Sequence, residues 1–465
     1  MRKQQMMQMA GVALGVTLLG SGCQTYTSQA KAMRADWVAG QVTNAATAFS
    51  KEADNCGDDK DAIVWNLEAA LSQRVAGNLP ESNRHFDKAV QRIDVYEQQA
   101  KTKVGREAMA LMSNQQNLPY EGRSYDKIML HTYQALNILT QGEVDKARPE
   151  IIRAYQYQQD AVEENARRIE RAQEEEKANK DRATAEKAKA DPKFRSDLAG
   201  VTNNLEGFQC YADYVNPFTV YLDGIYFLHN GAGGSDLERA RKSLQRVQEV
   251  AGSNKFVQAD LQAAGNGTPP AKCTYVIFET GQAASLDQVR IDVPIIITKV
   301  SYVGVAFPKL AFHNSYAPEL LVCAGGVQER TLRVASMDAV IAREFQNEWP
   351  VILTKAIASA VAKGVAAYAA NAVAEKQSEA LGWASKLATA ATQYALNIAD
   401  TRSWTTLPKE YQVACVPTPD ERKITVSVAG VAPVDVALGD GVVNVVYVRS
   451  MTSGGPLLIS QSKLK

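Results

Sequence analysis

Histidine is scarce in this chain: His85, His131, His229 and His313 are the four among 465 residues. None stands in a metal-binding pair or beside a nucleophile motif, so neither a histidine zinc site nor a histidine-activated nucleophile is legible. The six cysteines are scattered, without the two-residue spacing of a zinc knuckle. A phosphate-cradling loop is also missing. Gly231-Ala232-Gly233-Gly234 has no lysine after it and no predicted strand before it. Charge of one sign is lacking as well, because 51 basic and 51 acidic residues give a formal net charge of zero. A neutral chain has no long-range attraction for nucleic acid or anionic lipid. Nor is there a clean transmembrane run. Residues 6–19 are apolar but fall short of the ~20 needed to span a bilayer. Residues 351–374 are interrupted by Lys355 and Lys363, so a packed helix is expected there. These absences leave catalysis unsupported, and neither a metal nor a cofactor is expected.

What the chain does have begins at Cys23. Arg2 and Lys3 form a basic start, an apolar stretch follows, and Leu19-Gly20-Ser21-Gly22 places small residues directly before the cysteine. This is the layout of a secretory signal with a small-residue cleavage site. Its end resembles the lipobox of bacterial lipoproteins, with Gly20 a departure from the commoner leucine. The resemblance implies cleavage before Cys23 and attachment of several fatty acyl chains, palmitate among them. One chain holds a protein marginally and several hold it firmly. Gln24, rather than Asp, after the cysteine implies sorting to the outer membrane, with the body in the periplasm. An exported chain can form disulfides. The five remaining cysteines, Cys56, Cys210, Cys273, Cys323 and Cys415, are odd in number, so at least one stays free or pairs elsewhere.

The first half repeats a helical unit. Residues 67–90 and 133–154 align with Gly77 over Gly142, Ser82 over Ala147, Phe86 over Ile151 and Ala89 over Ala154. Each is an apolar helix, a glycine turn and a second helix with apolar residues every three or four positions. The glycine accepts positive φ without strain, and the small residue five positions on lets the helices approach. A looser copy starts at Asn216-Pro217, with Tyr221, Leu222, Ile225 and Leu228 on one face and Ala240, Leu244 and Val247 on the partner helix. The units resemble tetratricopeptide repeats over about 60–255. Helical hairpins outside any repeat family are the other reading, and either builds a solenoid-like body. Residues 157–191 are nearly all charged or alanine, with oppositely charged pairs at helical spacing. They read as a solvated helical extension ending near Pro192.

From Cys273 the period changes to that of strands, at about 273–334 and again at 422–463. A β-sandwich drawing on both segments buries both, since a lone hairpin is marginal. Asp440-Gly441 is expected to turn a tight hairpin. Between the strands Ser336 is placed to cap a helix, Trp349-Pro350 marks a break or kink, and an Ala-rich helical hairpin follows. Residues 399–408 are dense in special side chains, Asp400, Arg402 and Trp404 among them. Two readings stand: a lock in which Asp400 pairs with Arg402 while Trp404 packs on the sandwich, or a partner site, for which Trp and Arg are favoured residues.

Three segments, Asn216-Pro217-Phe218 with Tyr221-Leu222-Asp223-Gly224, residues 337–350 opening Met337-Asp338-Ala339, and residues 399–408, resemble those of a poorly characterised group of bacterial outer-membrane lipoproteins with tetratricopeptide-like helices and a C-terminal β domain. That resemblance implies architecture and address and carries no catalytic residue. The expectation is therefore an α+β chain. Residues 1–22 are a signal peptide, 23–58 anchor and linker, and 59–258 the tetratricopeptide-like helical domain. Residues 272–465 form a β-sandwich-like domain with a helical insertion at 337–399. Tyr221, Arg402 and Trp404 are the candidate partner-binding residues and Cys23 the lipidation site. The expected role is a tethered scaffold for a periplasmic envelope protein. A peptidoglycan-binding lipoprotein and a hydrolase with an unrecognised site are the alternatives, and nucleic acid is not expected as a partner.

Overall fold

Short apolar helices joined by tight turns build the first half. The computed structural model describes residues 25–102, 115–178, 182–205, 215–296, 300–377 and 398–465. The stretch expected to be anchor and linker is instead two helices, α1 (Tyr26–Val38) and α2 (Val42–Cys56). Thr25 caps α1, its hydroxyl accepting from Ser28 N at 3.2 Å. On α2 the residues Val42, Ala45, Ala46, Phe49 and Ala53 are all buried, at the three-and-four spacing of a packed face. That stripe is mostly alanine, which is why it reads weakly in the sequence.

The hairpins follow as expected. α3 (Ala62–Val75) packs on α4 (Leu79–Thr102), and α5 (Ser124–Thr140) packs on α6 (Val144–Ala178). Gly77 and Gly142 end α3 and α5 with φ of +84° and +80°, the left-handed conformation that favours glycine. Ser82 is fully buried and donates to the Ala70 carbonyl at 2.7 Å, so the small residue does mark the close approach. α6 continues into the charged extension. α7 (Arg182–Ala190) and α8 (Pro192–Thr202) then turn back, with Pro192 opening α8 behind an Asp191 cap. The third unit is α9 (Pro217–Asn230) with α10 (Gly234–Ala251), and α11 (Lys255–Asn266) completes the helical half. Its turn differs from the other two, because Gly231 has φ of −64°.

Eleven strands are found among the described residues: β1 (Cys273–Thr280), β2 (Ser285–Ile296), β3 (Val300–Ala311), β4 (Leu321–Ala324), β5 (Val327–Arg330), β6 (Leu332–Ser336), β7 (Glu410–Pro417), β8 (Lys423–Ser427), β9 (Val434–Ala437), β10 (Val443–Ser450) and β11 (Leu458–Lys463). One sheet has the order β11-β10-β1-β7-β6, another β5-β4-β8-β9, and β2 pairs with β3 as a ribbon. Both larger sheets draw strands from the two segments, and β4 and β5 touch β7. β7 begins before the second expected segment. The hairpin expected at Asp440-Gly441 does not form, because β9 pairs with β8 whereas β10 pairs in parallel with β1 and antiparallel with β11. α12 (Met337–Gln377) runs through Pro350 without a break. Ser336 caps it as expected, accepting from Ala339 N at 3.3 Å. The second arm expected for the helical insertion, Leu381–Ile398, lies outside the described residues as far as 397.

The helical and β halves share one core. Tyr411 of β7 stacks on Phe218 of α9 at 4.0 Å, and its hydroxyl lies 2.7 Å from that of Tyr133 on α5. β1 and β10 are buried along their whole length. The chain is thus α+β, with no structural gap between the two regions expected as separate domains. Where α9 and α10 cross, a Cβ on Gly224 would meet Leu244 Cγ at 2.7 Å. Gly224→Ala is expected to cost about 1–3 kcal/mol through overpacking. Gly142→Ala, which meets no neighbour, is expected to cost about 1–2 kcal/mol through its positive φ. Urea denaturation of both variants measures the two losses, and an unchanged midpoint for Gly224→Ala would deny the close approach.

Candidate functional site

The segment at 399–408 was the densest in special side chains, and it lies where the chain folds in on itself. Arg402 is 1% exposed. Its guanidinium donates to Asp400 Oδ2 at 2.6 Å, to Asp61 Oδ1 at 2.8 Å and to the Leu118 carbonyl at 2.9 Å. Burial alone would favour the neutral form, but the two carboxylates outweigh it and raise the guanidinium pKa. The expected Asp400–Arg402 pair is present, and Asp61 at the start of α3 makes it a triad. Trp404, also 1% exposed, donates from Nε1 to Thr406 Oγ1 at 2.8 Å. Its ring meets Phe86 and Tyr133 edge-on at 6.2 and 6.0 Å. The aromatic neighbours of Trp404 are thus on α4 and α5, within the core that the helices share with the strands.

Beside Trp404 lies a residue that sequence reasoning missed. Glu68 sits in the apolar run Leu67-Glu68-Ala69-Ala70-Leu71 and is fully buried. Its carboxylate accepts from Tyr26 OH at 2.7 Å, Thr405 N at 2.7 Å, Thr405 Oγ1 at 2.6 Å and Thr406 N at 3.0 Å. A buried carboxylate with all its acceptor sites used is tolerated, whereas an unpaired one is not. The signal available was a lone acid inside the mostly apolar run 62–71, in a helix of which thirteen of fourteen residues are buried.

Tyr221, the other candidate, is also fully buried. It donates to Asp260 Oδ2 at 2.8 Å, and Tyr275 donates to Asp260 Oδ1 at 2.7 Å. With that proton spent on Asp260, the Tyr275 oxygen is left to accept from His229 Nε2 at 3.0 Å. Burial pushes Asp260 up to about 6, against the pull of the two hydroxyls, and burial lowers His229 to about 4. Nearby, Asp223 pairs with Arg239 of α10 at 2.6 Å. Asp338 at the start of α12 is ion-paired with Lys409 and accepts from Ala284 N at 2.7 Å. All three segments that suggested a family are thus interior fastenings. The partner-binding role expected of Tyr221, Arg402 and Trp404 is not available to side chains this deeply enclosed, and of the two readings the geometry is that of the lock.

A further buried cluster joins α12 to the helical half. Glu348 bridges Arg123 at 2.6 Å and Arg168 at 2.9 Å. One turn earlier, Glu344 caps α5 by accepting from Ser124 N at 2.7 Å and Tyr125 N at 3.0 Å. Burial and then the adjacent Glu348 charge raise the Glu344 pKa. Burial would raise Glu348 too, but its two arginines hold it below the usual range.

A void of about 10 Å³ beside Arg123 and Glu344 has room for about one water. A shallow cleft of about 230 Å³ is lined by the Gly325-Gly326 turn with Cys323, Glu421, Lys423 and Thr425. No histidine lines either. Among the described residues no group of three His, Cys, Asp or Glu is placed to hold a metal, and no helix is long and apolar enough to cross a membrane. Cys23 lies outside the described residues. Compared with known proteins, the chain matches no family model, no curated protein and no solved structure.

Two outcomes test this reading. Trp404→Ala is expected to lose about 3–5 kcal/mol of stability in chemical denaturation, the cost of emptying a large aromatic site; unchanged stability would deny the lock. The second concerns pH. A carboxyl with a raised folded pKa holds its proton more tightly when folded, so its contribution is greatest at low pH. For Asp260 the contribution declines as pH rises from 3.8 towards about 6. Asp260→Asn should flatten the stability profile across that window, as measured by melting temperature against pH.

Proposed function

We propose that this chain is a lipid-anchored scaffold of the cell envelope. It is held at the outer membrane through Cys23, presents its helical hairpins to a periplasmic partner protein, and performs no catalysis of its own. The observation that carries the proposal is how soon the fold begins after Cys23. Helix α1 starts at Tyr26, whose ring is buried and whose hydroxyl is bound to Glu68. Three residues span at most ~11 Å when extended. An acylated Cys23 would therefore hold the body against the bilayer without a flexible spacer. Tethering of this kind raises the effective concentration of a binding surface near its membrane.

The surface on offer is supported by the hairpins. α6 has 35 residues and is ~52 Å long at 1.5 Å per residue, and its distal half carries exposed pairs such as Glu163–Arg167. α10 exposes Glu238, Arg241 and Lys242 in the same way. A mixed-charge face suits a partner with interspersed charges, for which salt-sensitive recognition is expected.

Two measurements decide it. Cys23→Ala should abolish incorporation of labelled palmitate and move the protein from the membrane pellet to the soluble fraction; retention in the pellet would deny the anchor. In-cell crosslinking of the wild-type chain should then return one stoichiometric envelope protein, lost at high salt. Co-sedimentation of the chain with purified cell-wall sacculi, with no protein captured, would replace the scaffold with a glycan-binding module.

A further inference from the structure

Four cysteines among the described residues are free thiols in this structure, and two of them stand on neighbouring strands. In the antiparallel pair of β1 and β7, Cys273 faces Pro417 and Tyr275 faces Cys415. Alternate residues of a strand share a face, so Cys273, Tyr275 and Cys415 all lie on the side turned to the helices, where Tyr275 meets Asp260. Cys273 N donates to the Val442 carbonyl on the β10 side. Towards β7 its position is therefore the non-hydrogen-bonded kind, in which side chains stand closest. Pro417, with no N–H to lose, fits opposite it. Cys273 and Cys415 are diagonal neighbours on that face, one register pair apart, and the right-handed twist of the ladder draws one diagonal together.

We propose that Cys273 and Cys415 form a cross-strand disulfide, closed during folding by exchange with a disulfide oxidant of the envelope. The proposal rests on the export reading, because such oxidants are maintained outside the cytosol. The thiolate of one cysteine attacks a sulfur of the oxidant's disulfide and expels one thiolate. The thiolate of the other then attacks the resulting mixed disulfide and expels the second. The two cysteines lose two protons and two electrons, and the oxidant becomes two thiols. The bond brings the two sulfurs to the ~2.05 Å of a disulfide. Timing follows from burial. Cys273 is 4% exposed, and the Cys273 contact together with burial pushes the Cys415 thiol up, so thiolate is scarce once the helices cover this face. The bond therefore forms on the folding chain and is shielded afterwards. It closes a loop carrying β2 through β6 and α12, and long loops are those whose closure most restricts the unfolded chain.

The test refolds the full-length mature chain from the reduced, denatured state with glutathione disulfide. Non-reducing peptide mapping should find Cys273 linked to Cys415, with Cys56 and Cys323 open to alkylation. The oxidised chain should melt roughly 5 °C or more above the reduced one, a gain absent in Cys273→Ser. Should both thiols instead be alkylated in the refolded chain, the pair is not a disulfide site. The double variant Cys273→Ala/Cys415→Ala, melting like the reduced wild type, would show that thiol loss itself leaves the fold intact. Chain recovered from cells after acid quenching and alkylation should carry the same link. A link formed in vitro, with free thiols in cells, would overturn the export reading and leave the chemistry of the pair standing.

Discussion

The enclosed carboxylate of Glu68 is the constraint on which the rest of the structure depends. Its four donors come from the start of the described chain at Tyr26 and from Thr405 and Thr406 near its end. An unpaired charge at this depth costs several kcal/mol, so α3 can be buried only if α1 and the 401–407 segment are both in place. The Arg402 triad applies the same condition a few residues away, since its guanidinium needs Asp61 from α3 and Asp400 from its own loop. Apolar packing supplies most of the stability here, as in any core of this size. The polar groups specify which surfaces meet.

One consequence is that hairpins and sheets behave as a single body rather than as two beads on a string. Tyr133 and Tyr411 touch across the junction, and Asp260 of α11 receives a hydroxyl from each half. Glu348 ties the long α12 to Arg123 and Arg168. For a scaffold this matters mechanically. If the chain is the proposed scaffold, a body that starts three residues after its anchor and whose halves share one core would hold a partner close to the membrane.

Much of the helical half was legible, and particular residues show why. Gly77 and Gly142 sit between apolar stripes, and glycine is the residue that takes the left-handed turn found there without strain. Residues 399–408 gave themselves away by crowding an Arg, an Asp and a Trp into a helix exit. Their role as a fastening was one of the two readings, and the rings of Phe86 and Tyr133 beside Trp404 were not foreseen. What stayed hidden depends on distant pairing. Nothing local distinguishes β9 followed by β10 from a hairpin, because what separates them is the parallel pairing of β10 with β1, far away in the chain. α2 was hidden for another reason: alanine supplies three of its five buried positions, and alanine is also what a neutral linker contains. Glu68 was visible as a lone acid among apolar neighbours, but its partners are remote in sequence.

The amides of Thr405 and Thr406, both spent on Glu68, give the most direct measurement. If the carboxylate is the fastening that joins the two halves, native-state hydrogen exchange should find these amides opening only with global unfolding, at the same free energy as the α3 amides. Exchange of Thr405 and Thr406 at low free energy while α3 stays protected would mean that the loop leaves the carboxylate freely, and the account would fail.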